Sequence, residues 1–332
     1  MIEPSLTDPF GRQIRYLRLS VTDRCDFRCR YCMAEDMTFL PRSQVLSLEE
    51  LTLIAKVFRQ LGGDKLRITG GEPLVRRDVL HLFQNVGRLG YRDLSLTTNG
   101  ARLDQYAAAL VDAGVHRVNI SLDSLQPHRF HDITRTGDLN HVLRGIDAAR
   151  RAGFQRIKLN TVVMRHFNLD EVVPLARFAL EQGLDISFIE EMPLGEIDDH
   201  KRLDEFVSSA EIRAQLESVF SLKAIDDDTG GPARYWAAQG YANRIGFISP
   251  HSHNFCSTCN RVRVSAEGRI LLCLGNEHSA DLRSILRDTP PGQQEERLAE
   301  AIVAALRLKP ERHHFNLEEP PQILRFMNAT GG

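Results

Sequence analysis

The sequence predicts an α/β fold in which a partial (βα)6 barrel of the TIM type is followed by a smaller C-terminal unit. Six short apolar runs recur between residues 16 and 192, and helical patterns separate them. Polar residues cluster where the runs end, as they do around the mouth of a barrel. Strands that alternate with helices form a parallel sheet, because each crossover between parallel strands needs a helix.

The predicted strands are rich in Leu and β-branched residues. They cover residues 16–21, 65–70, 93–99, 117–123, 156–163 and 185–192. The first predicted helix, "LSLEELTLIAKVFRQLG", opens with Ser47 and Glu50 at the spacing of a capping box. Two others, "LDQYAAALVDAG" and "LNHVLRGIDAARRAG", end at a Gly suited to a helix C-terminus.

Two architectures fit six such units: an open doubly wound sheet or a partial barrel. The polar residues at the strand ends favour the barrel, because there all six ends meet at one mouth. These residues are Thr22, Thr69, Gly70, Gly71, Glu72, Thr97, Thr98, Asn99, Ser121, Asp123, Asn160 and Glu190.

The pattern changes after residue 200. The stretch "DDDTGGPARYWAAQGYANRIGFISP" is rich in turn residues and lacks a long helical period. We therefore predict two units, a barrel domain over residues 1–219 and a smaller C-terminal domain over residues 220–332.

Composition limits the function. Lys and Arg number 42 against 44 Asp and Glu, a net charge of −2. This balance argues against a nucleic-acid or membrane-surface binder, which would be basic. The first twenty residues lack the apolar core of a signal peptide, and no stretch reaches the ~20 apolar residues that span a bilayer. The sequence thus predicts a cytoplasmic protein, whose clustered cysteines more often bind metal than form disulfides.

All six cysteines fall in two triads. The first, in "TDRCDFRCRYCM", has the spacing C-x3-C-x2-C and contains Cys25, Cys29 and Cys32. Short unequal spacings let one loop reach three corners of an iron–sulfur cube, which favours that interpretation. The alternative is a zinc site completed by a distant histidine.

The second triad, Cys256, Cys259 and Cys273, has the spacing C-x2-C-x13-C. The spacing alone allows a zinc site with a nearby histidine, or a second cluster with one open iron. Arg261 and Arg263 alternate with valines, so both guanidinium groups lie on one face of an extended segment. Such a pair suits polyphosphate, although a solvated strand face has the same pattern.

The first triad, with Tyr31 just before its last cysteine, resembles the radical S-adenosylmethionine superfamily. The resemblance implies a [4Fe–4S] cluster held by three cysteines, with the fourth iron left for S-adenosyl-L-methionine, which is cleaved to a 5′-deoxyadenosyl radical. The stretch "TGGEP" resembles the segment that contacts the methionine moiety. By position, the resemblance assigns cofactor contacts to Tyr31, Gly71, Glu72, Ser121 and Met192.

A closer resemblance covers the chain from about residue 11 onward. "SVTDRCDFRCRYCM", "KLRITGGEPLVRRD", "LTTNG", "SLDSL", "FCSTCNRVRVSAEGRILLCL" and the final two glycines together resemble the molybdenum cofactor biosynthesis protein A family. The resemblance implies a lyase that converts GTP to (8S)-3′,8-cyclo-7,8-dihydroguanosine 5′-triphosphate, an early intermediate of the molybdenum cofactor. It also implies a second [4Fe–4S] cluster on the second triad, which binds the purine.

The same resemblance assigns further sites. It gives catalytic roles to Arg263, Gly331 and Gly332, the two glycines reaching into the active site. It assigns GTP contacts to Arg18, Arg67, Thr98, Lys158, Arg261, Val262 and Arg263. It also implies a reduced flavodoxin or ferredoxin as electron donor and cyclic pyranopterin monophosphate synthase as the next enzyme. The sequence leaves the oligomeric state open, and a homodimer is compatible with it.

One position departs from the family pattern, because Ser187 stands where many relatives have Arg. Either another cation compensates or GTP is held differently. Two alternatives to the main hypothesis remain at this point: a radical enzyme that modifies a peptide, and a structural protein with two zinc sites.

Overall fold

Six parallel strands form the centre of the structure, a computed structural model that describes residues 6–197, 200–227, 230–313, 315–316, 319 and 323–331. The predicted α/β fold with a parallel sheet is confirmed. The strands are β1 (Tyr16–Ser20), β2 (Lys65–Thr69), β3 (Asp93–Thr98), β4 (Arg117–Ser121), β5 (Arg156–Val163) and β6 (Asp185–Glu190). They pair in chain order, each parallel to the next.

Helices connect these strands and cover the outer face of the sheet. They are α1 (Leu48–Gln60), α2 (Val79–Gly87), α3 (Leu103–Asp112), α4 (Pro127–Thr134), α5 (Leu139–Ala152) and α6 (Val172–Glu181). Helix α1 shows why: Leu51, Ile54 and Phe58 recur at helical spacing and are fully buried. The predicted capping box is present, with Ser47 and Glu50 exchanging hydrogen bonds at its start.

The C-terminal third contributes α7 (Arg202–Glu205), α8 (Ser209–Glu217), β7 (Leu222–Ile225), β8 (Arg234–Ala238), β9 (Arg244–Ile248), β10 (Arg261–Val264), β11 (Arg269–Leu271), β12 (Ser279–Asp281), α9 (Leu282–Asp288), α10 (Gln294–Leu306) and α11 (Met327–Thr330). No helix in the described ranges is long and apolar enough to cross a membrane.

The C-terminal strands extend the barrel sheet at both edges. Strand β10 pairs parallel with β1, and β9 pairs parallel with β6. Antiparallel strands then continue outward, giving the order β12-β11-β10-β1-β2-β3-β4-β5-β6-β9-β8-β7. The division at residues 219 and 220 stays a prediction, since the sheet is continuous across it.

Strand register brings cations together. Arg18 on β1 lies opposite Arg263 on β10 and opposite Arg67 on β2. Residues at the same level of neighbouring strands point to the same face of a sheet. Three guanidinium groups from distant parts of the sequence therefore share one level of the inner face.

Candidate active site

The two cysteine triads lie at opposite ends of the parallel strands. Cys25, Cys29 and Cys32 follow the carboxyl end of β1, whereas Cys256 and Cys259 precede β10, which is parallel to β1. The last cysteine of the second triad follows β11, which is antiparallel to β10 and returns to the same end. Strand β1, which has five residues, spans about 16 Å between these two ends at roughly 3.3 Å per residue.

The first triad opens into a cavity of about 690 Å³ at the carboxyl ends of the strands, here called the mouth cavity. Eight of the twelve strand-end residues that the sequence predicted to converge line this cavity, and Thr22, Glu72, Asn160 and Glu190 do not. Besides the three cysteines, its walls include Tyr31, Thr69, Gly70, Gly71, Thr97, Thr98, Asn99, Ser121, Asp123, Met327 and Asn328.

The first triad has the donor chemistry of an iron–sulfur site. Burial raises the pKa of the Cys32 thiol to about 12, and it raises those of Cys25 and Cys29 as well, with the neighbouring thiols and carboxylates adding to the effect. Three soft sulfur atoms on one loop, all on half-buried cysteines, fit a [4Fe–4S] cluster. The hydroxyl of Thr97 lies in the same cavity, buried and with no hydrogen-bond partner in the described chain, so a bound polar ligand would satisfy it.

Gly70 and Gly71 bring the second strand end against the cysteine loop. The backbone N–H of Gly71 donates to the Thr22 carbonyl at 2.7 Å. A Cβ atom on Gly71 would lie 2.4 Å from the Arg24 carbonyl oxygen, and one on Gly70 would lie 2.7 Å from that of Thr22. The glycines are therefore required for contact between two loops, in addition to any contact with a ligand.

Glu72 lies behind the wall of the mouth cavity. Its buried carboxylate accepts hydrogen bonds from the Leu74 N–H at 2.9 Å, the Thr98 hydroxyl at 2.8 Å and the Asn99 N–H at 2.6 Å. Burial raises its pKa to about 7. The described contacts of Glu72 and Thr98 thus fix the ends of β2 and β3 relative to each other. The predicted contacts of Glu72 with the cofactor and of Thr98 with substrate stay predictions.

Tyr31 is held by a buried carboxylate. Its hydroxyl donates to Asp123 at 2.8 Å, and the other oxygen of Asp123 accepts from the Val162 N–H at 2.9 Å. Burial raises the pKa of Asp123 to about 6. This arrangement fixes the Tyr31 ring beside the cysteines, with Ser121 on the same cavity wall.

A second cavity of about 1300 Å³ occupies the barrel interior between the triads, and we call it the basic cavity. The second triad lines it, with the aromatic rings of Phe255, His313 and Phe315. Its walls carry one described carboxylate, that of Asp185, against eight cations: Arg18, Arg67, Arg117, Arg156, Lys158, Arg244, Arg261 and Arg263.

Three of these cations are neutralised by carboxylates. Arg117 pairs with Asp93, while Arg156 and Arg244 both pair with Asp185. The remaining five form no ion pair within the described residues, and they are Arg18, Arg67, Lys158, Arg261 and Arg263. These are the five cations that the sequence assigned to GTP. Because buried charge is costly without a counter-charge, the cavity is suited to a polyanion.

The pKa shifts of these cations reflect the same free-energy cost of burying charge without a counter-charge. Burial, followed by repulsion from Arg67, lowers the pKa of Lys158 to about 7. Burial also lowers the pKa of Arg67 to about 10, and it lowers that of Arg263 strongly. The Nε atom of Arg18, a residue 8% exposed, has no hydrogen-bond partner in the described chain. Several donors of the cavity are therefore available to a ligand.

The second triad differs from the first in its electrostatic surroundings. Burial would raise the pKa of Cys259, but Arg261 and Lys309 outweigh it and lower that pKa. Lys309 is 3% exposed and donates from Nζ to the carbonyl oxygens of Arg261 and Leu272. Through these two hydrogen bonds, the buried ammonium group of Lys309 links the start of β10 to the residue after β11. The thiols of this triad fit a negatively charged metal cluster.

The C-terminal segment lies between the two cavities. The side chain of Met327 lines both, and Asn328 donates to the Asp23 carbonyl at 2.8 Å. The Arg263 guanidinium donates to the carbonyl of Gly331, whose Cα packs so closely on Thr69 that a Cβ atom would lie 2.3 Å from Cγ2. Gly332 lies outside the described residues, and its predicted catalytic role stays a prediction.

Three other residues that the sequence analysis singled out, Met192, Ser187 and Val262, lie away from the mouth cavity. Met192, assigned by resemblance to the cofactor, lines the basic cavity. Ser187 lies against Gly246: a Cβ atom added to Gly246 would be 2.7 Å from the hydroxyl oxygen of Ser187. Val262 lines the basic cavity as predicted.

Sequence reasoning missed Met327 and Asn328, and it noted Thr97 and Asn160 only as strand-end residues. Asn160 lines the basic cavity with Oδ1 buried and without a partner among the described residues. The polar end of β3 was a signal for Thr97, but nothing local marked Met327.

Two family models match consecutive parts of the chain. A model described as the radical SAM superfamily matches residues 19–179, and one described as Molybdenum Cofactor Synthesis C matches residues 184–315. Together with the cysteine loop at the barrel mouth, the first match defines the chain as a radical S-adenosylmethionine enzyme. Enzymes of this class use a [4Fe–4S] cluster and S-adenosylmethionine.

Full-length relatives then give the family. A GTP 3′,8-cyclase of Saccharophagus degradans is 62% identical, and the match covers 100% of both chains. Another from Marinobacter nauticus is 59% identical, again over 100% of both chains. The chain belongs to the GTP 3′,8-cyclase family, which confirms the sequence-based assignment. The comparisons support this assignment and neither of the two alternatives.

Solved structures agree on the fold. Streptococcus suis SuiB bound to S-adenosylmethionine has a TM-score of 0.59 and 16% sequence identity, covering 81% of this chain and 63% of SuiB. A second SuiB structure has a TM-score of 0.60 and 15% identity, covering 82% of this chain and 64% of the other. At these identities the likeness shows the fold alone.

We expect Gly71→Ala to lower the iron and sulfide content of anaerobically reconstituted protein, because its new Cβ overlaps the Arg24 carbonyl and displaces the cysteine loop. Overpacking of this kind costs about 1–3 kcal/mol in the free energy of unfolding. The control is Gly90→Ala, which adds a Cβ in open space at positive φ. The control should lose some stability and keep its iron. Full iron content in Gly71→Ala would contradict the prediction.

Lys158 should take up a proton when a polyphosphate binds. With its pKa near 7 in the empty cavity, Lys158 is half neutral at pH 7, and a bound polyanion favours the charged form. Wild-type protein should therefore take up about half a proton more than Lys158→Arg at pH 7. Calorimetry with inorganic tripolyphosphate in buffers of different ionisation enthalpy measures this difference, and equal proton uptake would refute the prediction.

Proposed function

We propose that this protein converts GTP to (8S)-3′,8-cyclo-7,8-dihydroguanosine 5′-triphosphate. The observation that supports this most strongly is a group of five cations enclosed between two cysteine triads, none of which has a carboxylate partner in the described part of the chain. A triphosphate brings several negative charges to this group, which neither a neutral peptide nor a zinc ion would do. The names of the full-length relatives agree with the same activity.

Cys25, Cys29 and Cys32 would hold a [4Fe–4S] cluster, and S-adenosylmethionine would bind beside it in the mouth cavity. Tyr31, Gly71 and Ser121 line the space for it. When bound, the cluster and S-adenosylmethionine supply the electron and the 5′-deoxyadenosyl radical that removes hydrogen from the ribose. The protein contributes position: Asp123 fixes Tyr31, and Glu72 fixes the loops after β2 and β3.

The basic cavity would hold GTP. Arg18, Arg67 and Lys158 come from the strands of the barrel, and Arg261 and Arg263 come from β10. Arginine binds phosphate oxygens through two parallel N–H groups, so this set can hold a triphosphate in a single orientation. The Val262 backbone would add a contact, and the rings near the second triad offer flat faces to a purine.

A second [4Fe–4S] cluster on Cys256, Cys259 and Cys273 is part of this proposal. Arg261 and Lys309 lie beside these thiols and balance the charge of such a cluster. Three cysteines would leave one iron free for the guanine base. The side chain of Met327 lies between the cavities and would shield the reacting ribose from water.

The wider setting follows from the same proposal. The enzyme would work in the cytoplasm with a reduced flavodoxin or ferredoxin as electron donor. It would pass its product to cyclic pyranopterin monophosphate synthase in molybdenum cofactor synthesis. Gly331 would act with Arg263, which already donates to its carbonyl.

Anaerobic incubation with reductant, S-adenosylmethionine and GTP tests the function. We expect 5′-deoxyadenosine and the cyclised nucleotide in equal amounts, detected by chromatography and mass spectrometry. Deoxyadenosine without consumption of GTP would favour a peptide substrate. Zinc in place of iron and sulfide after anaerobic purification would exclude the enzymatic hypothesis.

Arg263→Ala should weaken GTP binding at least tenfold while both triads keep their iron, because a charge-assisted hydrogen bond contributes on the order of 1.5–3 kcal/mol. The control is Arg77→Ala, since Arg77 is exposed and lies outside both cavities. Equilibrium binding of GTP without reductant gives the affinity. An unchanged affinity in Arg263→Ala would remove this residue from the proposed phosphate site.

A further inference from the structure

Tyr16 begins β1 and lies against two arginines that line the basic cavity, Arg18 and Arg67, and neither sequence reasoning nor the proposed mechanism uses it. It lies two residues before Arg18, so both side chains point to the inner face of the sheet. The Tyr16 ring lies 5.5 Å from the guanidinium carbon of Arg67 and 5.7 Å from that of Arg18. In register, Tyr16 pairs with Arg261 on one side and Lys65 on the other.

The hydroxyl of Tyr16 is an exception among buried polar groups. Tyr16 is 4% exposed, and its hydroxyl meets no hydrogen-bond partner in the part of the chain that the structure describes. Buried hydroxyls usually have a partner, because leaving water without one is costly. Because the side chains that face this hydroxyl, Arg67 and Arg18 first, are cations, they favour its ionised form.

The charges around Tyr16 come from four strands. Arg18 lies on its own strand, Arg67 on β2, Arg261 and Arg263 on β10, and Lys158 on β5. Burial would raise the pKa of Tyr16, but Arg67 and Arg18, followed by Arg261, outweigh it and lower the pKa to about 8. The phenolate is thus accessible under conditions in which the enzyme can be studied.

We propose that Tyr16 is a positioning residue of the basic cavity that holds Arg18 and Arg67 against its ring and, at alkaline pH, takes up a proton from solvent when a triphosphate binds. The inference rests on the proposed function, because it takes the ligand to be a nucleoside triphosphate. Tyr16 touches no reacting atom in this account. It acts on the ligand through the two guanidinium groups.

The exchange follows from charge balance. In the empty cavity at alkaline pH, a phenolate reduces the repulsion among the enclosed guanidinium groups. A bound triphosphate supplies that negative charge itself and repels the phenolate, which then takes a proton from solvent. Binding is therefore coupled to proton uptake by Tyr16, and affinity must fall as the pH rises through the pKa of the free protein.

Tyr16→Phe tests the exchange, because it keeps the ring and removes the proton. With inorganic tripolyphosphate as probe, wild type and variant should bind about equally at pH 7. At pH 9, Tyr16→Phe should bind about tenfold more tightly, since about nine-tenths of the wild-type residue must then be reprotonated. Tyr16 also affects the pKa of Lys158, so the same comparison is made in a Lys158→Arg background, where residue 158 does not titrate. Equal affinity ratios at the two pH values would overturn the exchange.

Tyr16→Leu tests the ring, because it removes the surface beneath both guanidinium groups. Its affinity for tripolyphosphate should fall at both pH values, and affinity equal to that of Tyr16→Phe would overturn the positioning role. Iron content and circular dichroism of the reconstituted proteins establish that each variant is folded.

The two hypotheses fail separately. Tripolyphosphate binding with the expected pH dependence, but without turnover of GTP, would reject the proposed function and leave the role of Tyr16 intact. Turnover of GTP, with tripolyphosphate affinities that depend on pH identically in wild type and Tyr16→Phe, would reject the role of Tyr16 and leave the proposed function intact.

Discussion

The structure is built around positive charge enclosed in the barrel, where five cations have no carboxylate partner among the residues that the structure describes. Burial lowers the pKa of Lys158 to about 7 and that of Arg67 to about 10, so the charged forms are held at a cost in stability. The chain as a whole has a net charge of −2, so this field is local. A polyanion inside the barrel offsets that cost, and the same interaction provides affinity and orientation.

Opposite electrostatic surroundings distinguish the two ends of the barrel. The first triad lies near Glu72 and Asp123, and its thiols have raised pKa values. The second lies near Arg261 and Lys309, which lower the pKa of Cys259. Two metal sites in one chain would thus differ in their ability to hold negative charge. The C-terminal segment touches both ends, since Met327 lines both cavities.

The C-terminal third completes the barrel wall rather than adding a separate layer to it. Strand β10 lies against β1, which places Arg263 beside Arg18, and β9 extends the other edge beyond β6. The group of five cations therefore exists only when both parts of the chain are folded together. Close packing adds a second requirement, because Gly71 allows the loop after β2 to touch the cysteine loop.

The sequence by itself determined the six βα units, the two cysteine triads and the alternation of Arg261 and Arg263, because strand period, capping and ligand spacing are local properties. It also gave the family, through motifs of the same local kind. Only the tertiary structure decided which cations keep a carboxylate partner, that the described contacts of Glu72 hold loops together, and that Met192 faces the basic cavity. The tertiary structure also decided that the Tyr16 hydroxyl has no hydrogen-bond partner among the described residues. Each depends on neighbours brought from distant strands by register, and hydrogen bonding, charge pairing and desolvation act between such neighbours whatever their separation along the chain.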